Sequence, residues 1–233
     1  MTRLVKYTLQ NSYGKKNLVK IPPSYPNEMM VKLFSSTYYS NLIKKNFFKK
    51  KNFKILEVGS SSGNNLRYFI DRKFHTFGIE INKDMVDLGI KNLKRMKYKV
   101  PEIKIGHNTQ IPYKNSFFNC LVSINTLHYS SGNEVKKALA EYKRVLKKGS
   151  LVYIETSGPK HFSKKTSKRL GPLRWIRKTK VKDFRNNSHI FGYFSNKKQF
   201  QNILEKNFSK VEVYERYELS KISLNFFVGI CIV

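Results

Sequence analysis

Apolar residues in this chain gather in short unbroken runs, and stretches of helical period lie between them. Phe53–Val58 is the first such run and carries one carboxylate, Glu57. His75–Ile81 follows, with Glu80 near its end, then Ile103–Ile105, Cys120–Ile124 and Leu151–Thr156. Helices are predicted from Asn64, over Asn82 to about Met96, and over Asn133–Leu146, where Lys147-Lys148-Gly149 reads as a basic, glycine-terminated stop. Short apolar strands that alternate with helices predict an α/β domain. A last helix runs from Ser195 to about Asn207, and Val211–Tyr217 and Ser223–Val233 read as two closing strands. The link between them, Leu219–Ile222, is too short for a crossover helix, so an antiparallel hairpin is expected.

The turn after the first run holds the densest chemistry. Gly59 and Gly63 bracket Ser60-Ser61-Ser62, and Asn64-Asn65-Leu66 opens a helix. A buried strand, a glycine-rich turn and a helix start form a nucleotide-binding corner. The spacing is not the Gly-x-Gly-x-x-Gly of dinucleotide sites. A carboxylate two residues before Gly59 would repel a pyrophosphate and attract a cationic ligand. The alternative is a strand, turn and helix with no ligand.

On either side of this frame the pattern changes. Residues 1–20 are polar and basic with little periodicity and read as an arm, and apolar residues then recur at helical spacing from Asn27, a cap residue, to Phe48. Residues 1–52 are therefore taken as an arm and helical extension, and 53–233 as the main domain. Within that domain, about 157–195 shows no clean helical or strand period. This insertion contains the only tryptophan, Trp175, and many Lys and Arg residues. Loops of that length are usually functional or disordered. Arg169, Arg174, Arg177 and Arg185 are candidates to clamp a phosphate or carboxylate, with Trp175 beside them. A solvated surface loop is the competing reading.

Composition narrows the classes. The chain has 233 residues and a formal net charge of +31. Such charge suits nucleic acid, anionic surfaces or acidic substrates. Lys, Asn, Ile, Phe and Tyr are all abundant, whereas alanine occurs only at Ala138 and Ala140. That pattern points to compositional bias, with most of the charge on solvated faces. Met1–Gln10 lacks the apolar core of a secretory signal, and no apolar run is long enough to span a membrane. Cys120 and Cys231 sit inside apolar runs and make neither a disulfide framework nor a metal site, so a reducing, cytoplasmic setting is expected.

Glu57-x-Gly59-x-Ser61-x-Gly63 resembles the first motif of the class I, Rossmann-like S-adenosylmethionine-dependent methyltransferases, of the broad small-molecule "methyltransferase type 11" kind. The family usually has glycine where Ser61 stands. Gly106–Tyr113 resembles the family's Gly-Asp-Ala-x-x-Leu-Pro-Phe segment, with His107 and Asn108 at the polar position. Ser116–Tyr129 resembles its fourth-strand block, with Asn119 for the usual Asp, and Arg144-Val-Leu-Lys-x-Gly149 resembles its Arg-Val-Leu-Lys-Pro-Gly-Gly segment. The resemblance implies a seven-stranded, mostly parallel sheet of order 3-2-1-4-5-7-6, with a C-terminal antiparallel hairpin and helices on both faces. It implies S-adenosyl-L-methionine as cofactor. Glu57 and the Gly59–Gly63 backbone, Ser61 included, would hold the methionine end, Glu80 the two ribose hydroxyls, Ile81 the adenine face, and Asn108 rather than His107 the adenine amine. Met85, Tyr25, Met29 and Met30 are further contacts on this view, with core packing the alternative for each.

Direct displacement at the sulfonium methyl needs a nucleophile held in line about 3 Å away. Asn125, His128 and Tyr129, at the end of the fourth strand, are the residues expected to face that methyl. If the acceptor is a hydroxyl, His128 is the best-placed base, with His161 and His189 as alternatives. The expected acceptor is a small-molecule or glycan-type, anionic compound. An RNA methyltransferase that uses the basic surface is the second reading, against which no separate RNA-binding module is evident. A non-catalytic binding protein that keeps the fold is the third.

Overall fold

The computed structural model describes residues 25–178, 188–218 and 222–233. The arm over 1–20 and Arg185 lie outside them. Five parallel strands form most of one sheet: β1 (Lys54–Val58), β2 (His75–Glu80), β3 (Glu102–Ile105), β4 (Phe118–Ile124) and β5 (Leu146–Ser157). Two more, β9 (Lys210–Glu218) and β10 (Leu224–Ile232), complete it in the order β3-β2-β1-β4-β5-β10-β9. The last two run antiparallel, as the short link requires.

The sheet is buried on both faces, which is why its central strands read as unbroken apolar runs. On one face Val152, Ile154 and Phe227 pack with Leu139 and Tyr142 of α4 (Asn133–Val145) and Phe200 and Leu204 of α6 (Lys197–Glu205). On the other, Ile55, Val122, Tyr153 and Ile230 pack with Met30, Leu33 and Phe34 of α1 (Glu28–Ser35) and Phe69 of α2 (Asn64–Asp71). α3 (Lys83–Arg95) follows β2 and is capped by Asn82. A side chain at Gly229, in β10, would run into Leu204 and Phe200, so this glycine sets how closely α6 lies on the sheet.

The segment from Asn27 to Phe48 holds one α-helix of eight residues, capped by Asn27, and two 3-10 turns, Thr37–Tyr39 and Phe47–Lys49. The expected end of the helix over 133–146 is corrected. α4 ends at Val145, and Lys147-Lys148-Gly149 lies in the range of β5. Leu146 is drawn out of the helix because it pairs with Phe118, and Gly149 (φ 75°) turns the chain so that its N–H meets the Val233 carbonyl. Asn119 Oδ1 accepts from Lys54 N at 3.0 Å and ties the start of β4 to β1.

The insertion, which shows no clean period, holds a short helix α5 (Phe162–Lys165) and three strands, β6 (Lys168–Gly171), β7 (Arg174–Lys178) and β8 (Ser188–Phe191). These pair antiparallel as a second sheet. It is tied down where Gly192 N–H donates to the His128 carbonyl and Gly132 N–H to the Leu173 carbonyl.

Candidate active site

The C-terminal ends of β1, β2 and β4 open into a cleft of about 260 Å³. Gly59, Ser61, Glu80, Ile81, His107, Asn108, Asn125 and Tyr129 all line it, with Met85. Residues expected at the site from four separate sequence blocks thus meet around one cavity. Glu57, Gly63 and His128 are not among its lining residues; His128 packs against Tyr129, which is.

Gly59 makes the corner possible. It has φ 77°, and a side chain there would collide with Thr126, whose Oγ1 is fixed by the carbonyls of Val58 (3.1 Å) and Ile124 (3.0 Å). Thr126 carries no signal in the sequence beyond directly following Asn125. Gly63 (φ 82°) is the N-cap of α2. Ser61 also has a left-handed backbone, φ 45°, a conformation that suits the family's usual glycine better.

The two carboxylates differ in surroundings. Glu80 is pinned by three backbone N–H groups: Ser61 N to Oε2 at 3.1 Å, and Ile81 N and Asn82 N to Oε1 at 2.8 and 3.1 Å. This clamps the glycine corner to the start of α3. Burial raises its pKa, and the three donors hold it down. Oε2, with one donor, keeps a lone pair to offer. Glu57 is buried; Asn65 Nδ2 donates to its Oε1 at 2.7 Å, while its Oε2 has no partner among the described residues. Desolvation pushes its pKa up to about 8, with Asn65 opposing the rise and Glu80 adding to it.

The polar residues after β3 are committed elsewhere. Thr109 N–H donates to His107 Nδ1 at 3.2 Å, which leaves the ring proton of the neutral tautomer on Nε2. His107 therefore presents a donor. Asn108 is buried with both amide atoms on Ser130 Oγ, at 2.8 and 3.1 Å. Only a second lone pair on its Oδ1 is left for an adenine amine.

Asn125 (φ 52°) lines the cleft, and its N–H donates to the Glu155 carbonyl at 2.8 Å. His128 is buried in an aromatic cluster with Tyr129 (ring centroids 4.5 Å apart), Tyr193 (6.0 Å) and Phe191 (6.1 Å). Burial, with His161 adding to it, lowers its pKa to about 3. The imidazole is thus neutral and a poor proton acceptor, which counts against the expected role as general base. His128 Nδ1, Thr156 Oγ1 at the end of β5 and Tyr193 Oη past β8 are all buried without a hydrogen-bond partner among the described residues. Neither Thr156 nor Tyr193 carries a sequence signal that would have singled it out.

The insertion brings cations to this region. Arg177 lies over the Phe162 ring at 5.0 Å and Lys164 over the Trp175 ring at 5.0 Å. Burial and then Arg177 lower the pKa of His161, whose Nδ1 is 2.7 Å from Ser163 Oγ. Burial and then Arg169 do the same to Lys164. Trp175 and Arg177 are half-buried, whereas Arg169 and Arg174 are exposed. Of the further cofactor contacts expected from the helical extension, Met30 is core, Met29 packs against the same cluster, and Tyr25 is exposed with Arg67 6.0 Å from its ring.

The chain is similar to methyltransferases over part of its length and in its fold. Residues 56–154 match the family model described as a methyltransferase domain. An uncharacterized methyltransferase of Anoxybacillus flavithermus is 28% identical over 104 residues, 44% of this chain; the match spans about half, 47%, of that relative's length. Among solved structures, a SAM-dependent methyltransferase from Methanosarcina mazei aligns with TM-score 0.62 and 16% identity over 82% of this chain and 97% of its own. One from Clostridium acetobutylicum aligns with TM-score 0.63 and 11% identity, over 95% and 96%. A Haemonchus contortus phosphoethanolamine N-methyltransferase, in complex with phosphomonomethylethanolamine and S-adenosylhomocysteine, aligns with TM-score 0.66 and 12% identity, over 98% and 60%.

Proposed function

We propose, with a Rossmann-like S-adenosylmethionine-dependent methyltransferase domain as the premise, that this protein transfers the methyl group to a small anionic acceptor. The cofactor's methionine end would lie against the Gly59–Gly63 turn, its ammonium meeting the unpartnered Glu57 Oε2. The ribose would donate to Glu80, and the adenine would stack between Ile81 and Met85. The bound cofactor supplies an electrophilic methyl; the chain's own residues orient it and keep water away.

The observation that carries the acceptor assignment is the set of three buried polar atoms without partners, His128 Nδ1, Thr156 Oγ1 and Tyr193 Oη. Each costs about 1–3 kcal/mol while unsatisfied. They come from the ends of β4 and β5 and from the insertion; His128 packs against Tyr129 of the cleft and Tyr193 against His128, and the set suits the polar head of an acceptor. Arg177, Lys164 and Arg169 would hold its anionic end. A neutral His128 acts here as a hydrogen-bond partner. An acceptor that is an uncharged amine, or an already acidic hydroxyl, then needs no base.

The test is methyl transfer from labelled S-adenosylmethionine to a panel of phosphate-bearing amines and alcohols, their dephosphorylated forms, and bulk RNA. Phosphomonomethylethanolamine, seen with the Haemonchus enzyme, is the first compound to try. The proposal expects turnover of a phosphorylated acceptor, a KM that rises about tenfold or more in Arg177→Ala, and little turnover of the dephosphorylated form. Transfer to RNA alone, with a steep salt dependence of RNA affinity, would favour the second reading. A formal charge of +31 is the observation on that side.

A further inference from the structure

Helix α1 docks on the sheet through a residue whose polar groups are all engaged. Asn27 caps the helix in the ordinary way, its Oδ1 accepting from Met30 N at 2.9 Å. Its backbone N–H donates to Asn65 Oδ1 at 2.8 Å, and its Nδ2 donates to Glu155 Oε1 at 3.1 Å. Both partners lead to the cleft. Asn65 Nδ2 reaches Glu57 Oε1 at 2.7 Å. Glu155, fully buried on β5, is held by Tyr153 and Arg216, and its carbonyl accepts from Asn125 N.

Direction matters in this chain of bonds. An amide can turn either face to a neighbour. Because the Asn27 N–H occupies the Asn65 oxygen, the Asn65 NH₂ is the end that points at Glu57. Glu57 has no other side-chain donor among the described residues, and its second oxygen is unpartnered and buried. The side chain that favours its ionised form is therefore aimed by a helix from outside the strand-turn-helix motif.

We infer that Asn27 and Asn65 are positioning residues for cofactor binding: the docked α1 orients Asn65, and Asn65 sets the Glu57 carboxylate that receives the cofactor's cationic end. This rests on the reading of Glu57 as that anchor. Linkage makes the effect reciprocal, so a cofactor that engages Glu57 tightens α1.

The probe is S-adenosylhomocysteine, which carries the same methionine ammonium. Its affinity is measured by calorimetry across pH for the wild type, Glu57→Gln, Asn65→Asp, Asn65→Leu and Asn27→Ser, with hydrogen exchange of the α1 amides recorded with and without ligand. Asn65→Asp keeps an acceptor for the Asn27 N–H and loses the donor to Glu57, so affinity near neutral pH falls about tenfold or more. The loss shrinks as pH rises, because Glu57, crowded by Glu80 and by the carboxyl introduced at position 65, then gives up the proton it holds near neutrality. Asn65→Leu loses affinity at every pH. Ligand slows α1 exchange in the wild type and leaves it unchanged in both Asn65 variants at saturation. Asn27→Ser retains a cap and the backbone N–H but loses the bond to Glu155, so its α1 gains less protection; it also serves if the Asn65 variants fail to fold. Wild-type affinity in Glu57→Gln would remove the premise. A weakened Glu57→Gln beside Asn65 and Asn27 variants that bind as wild type, with α1 exchange indifferent to ligand, would overturn the inference alone.

Discussion

Replacing Glu57 with glutamine should stabilise the ligand-free protein, and do so only above acidic pH. Glu57 is buried between β1 and α2, and desolvation pushes its pKa up to about 8 from an ordinary 4.5. Between those values the folded state holds a proton that the unfolded state releases. Stability therefore falls as pH rises through this window, and levels off above it. At about 1.4 kcal/mol per pH unit, roughly 3–5 kcal/mol of stability is lost across the whole window, most of it before pH 7. The glutamine still offers an acceptor to Asn65 and cannot ionise. Thermal unfolding of the two proteins from about pH 5 to about pH 8.5 should give near-coincident curves at the acid end and a variant more stable by about 10 °C at the alkaline end. Differences between the two cancel the titration of every other group. Parallel pH profiles would refute the reasoning, since they would mean that Glu57 ionises in the folded chain as it does in water.

Three further changes follow from local geometry. Gly59→Ala places a methyl group against Thr126 at a left-handed backbone, so S-adenosylhomocysteine binding should vanish and stability should drop by about 2 kcal/mol or more in denaturant titration. Ser61→Gly relieves a φ of 45° and should raise the melting temperature by about 2–4 °C; a decrease would show that the serine side chain matters more than its backbone. Arg216→Ala strips two donors from the buried Glu155 and should cost about 3–5 kcal/mol, with Arg216→Lys a poor rescue because the pairing is two-pronged.

The strands could be read along the chain because they are buried on both faces and so appear as apolar runs between helices; their order was implied by the family resemblance and is the order found. The cleft followed from it: Gly59, Glu80 and Asn125 sit at strand ends, and the topology brings strand ends together. The insertion defeated the same method. Lys168, Arg169 and Leu170 of β6 are all exposed, so no apolar alternation marks the strand. At Lys147-Lys148-Gly149 the local signs of a helix end were present, but pairing of Leu146 with Phe118 had already ended the helix. The family resemblance placed His107 and Asn108 at the cleft and could not show that Thr109 and Ser130 had claimed their side chains. Asn27 was recognisable as a cap. Its two other bonds join residues 38 and 128 positions away, which no local pattern encodes.

The central claim is that the cleft at the ends of β1 and β2 holds S-adenosylmethionine through Glu80. Calorimetric titration of the purified protein with S-adenosylhomocysteine, beside a Glu80→Ala variant, tests it most directly. Micromolar binding by the wild type, lost in a variant that remains folded, is the predicted result. No heat and no thermal shift in a folded wild-type protein would contradict the account.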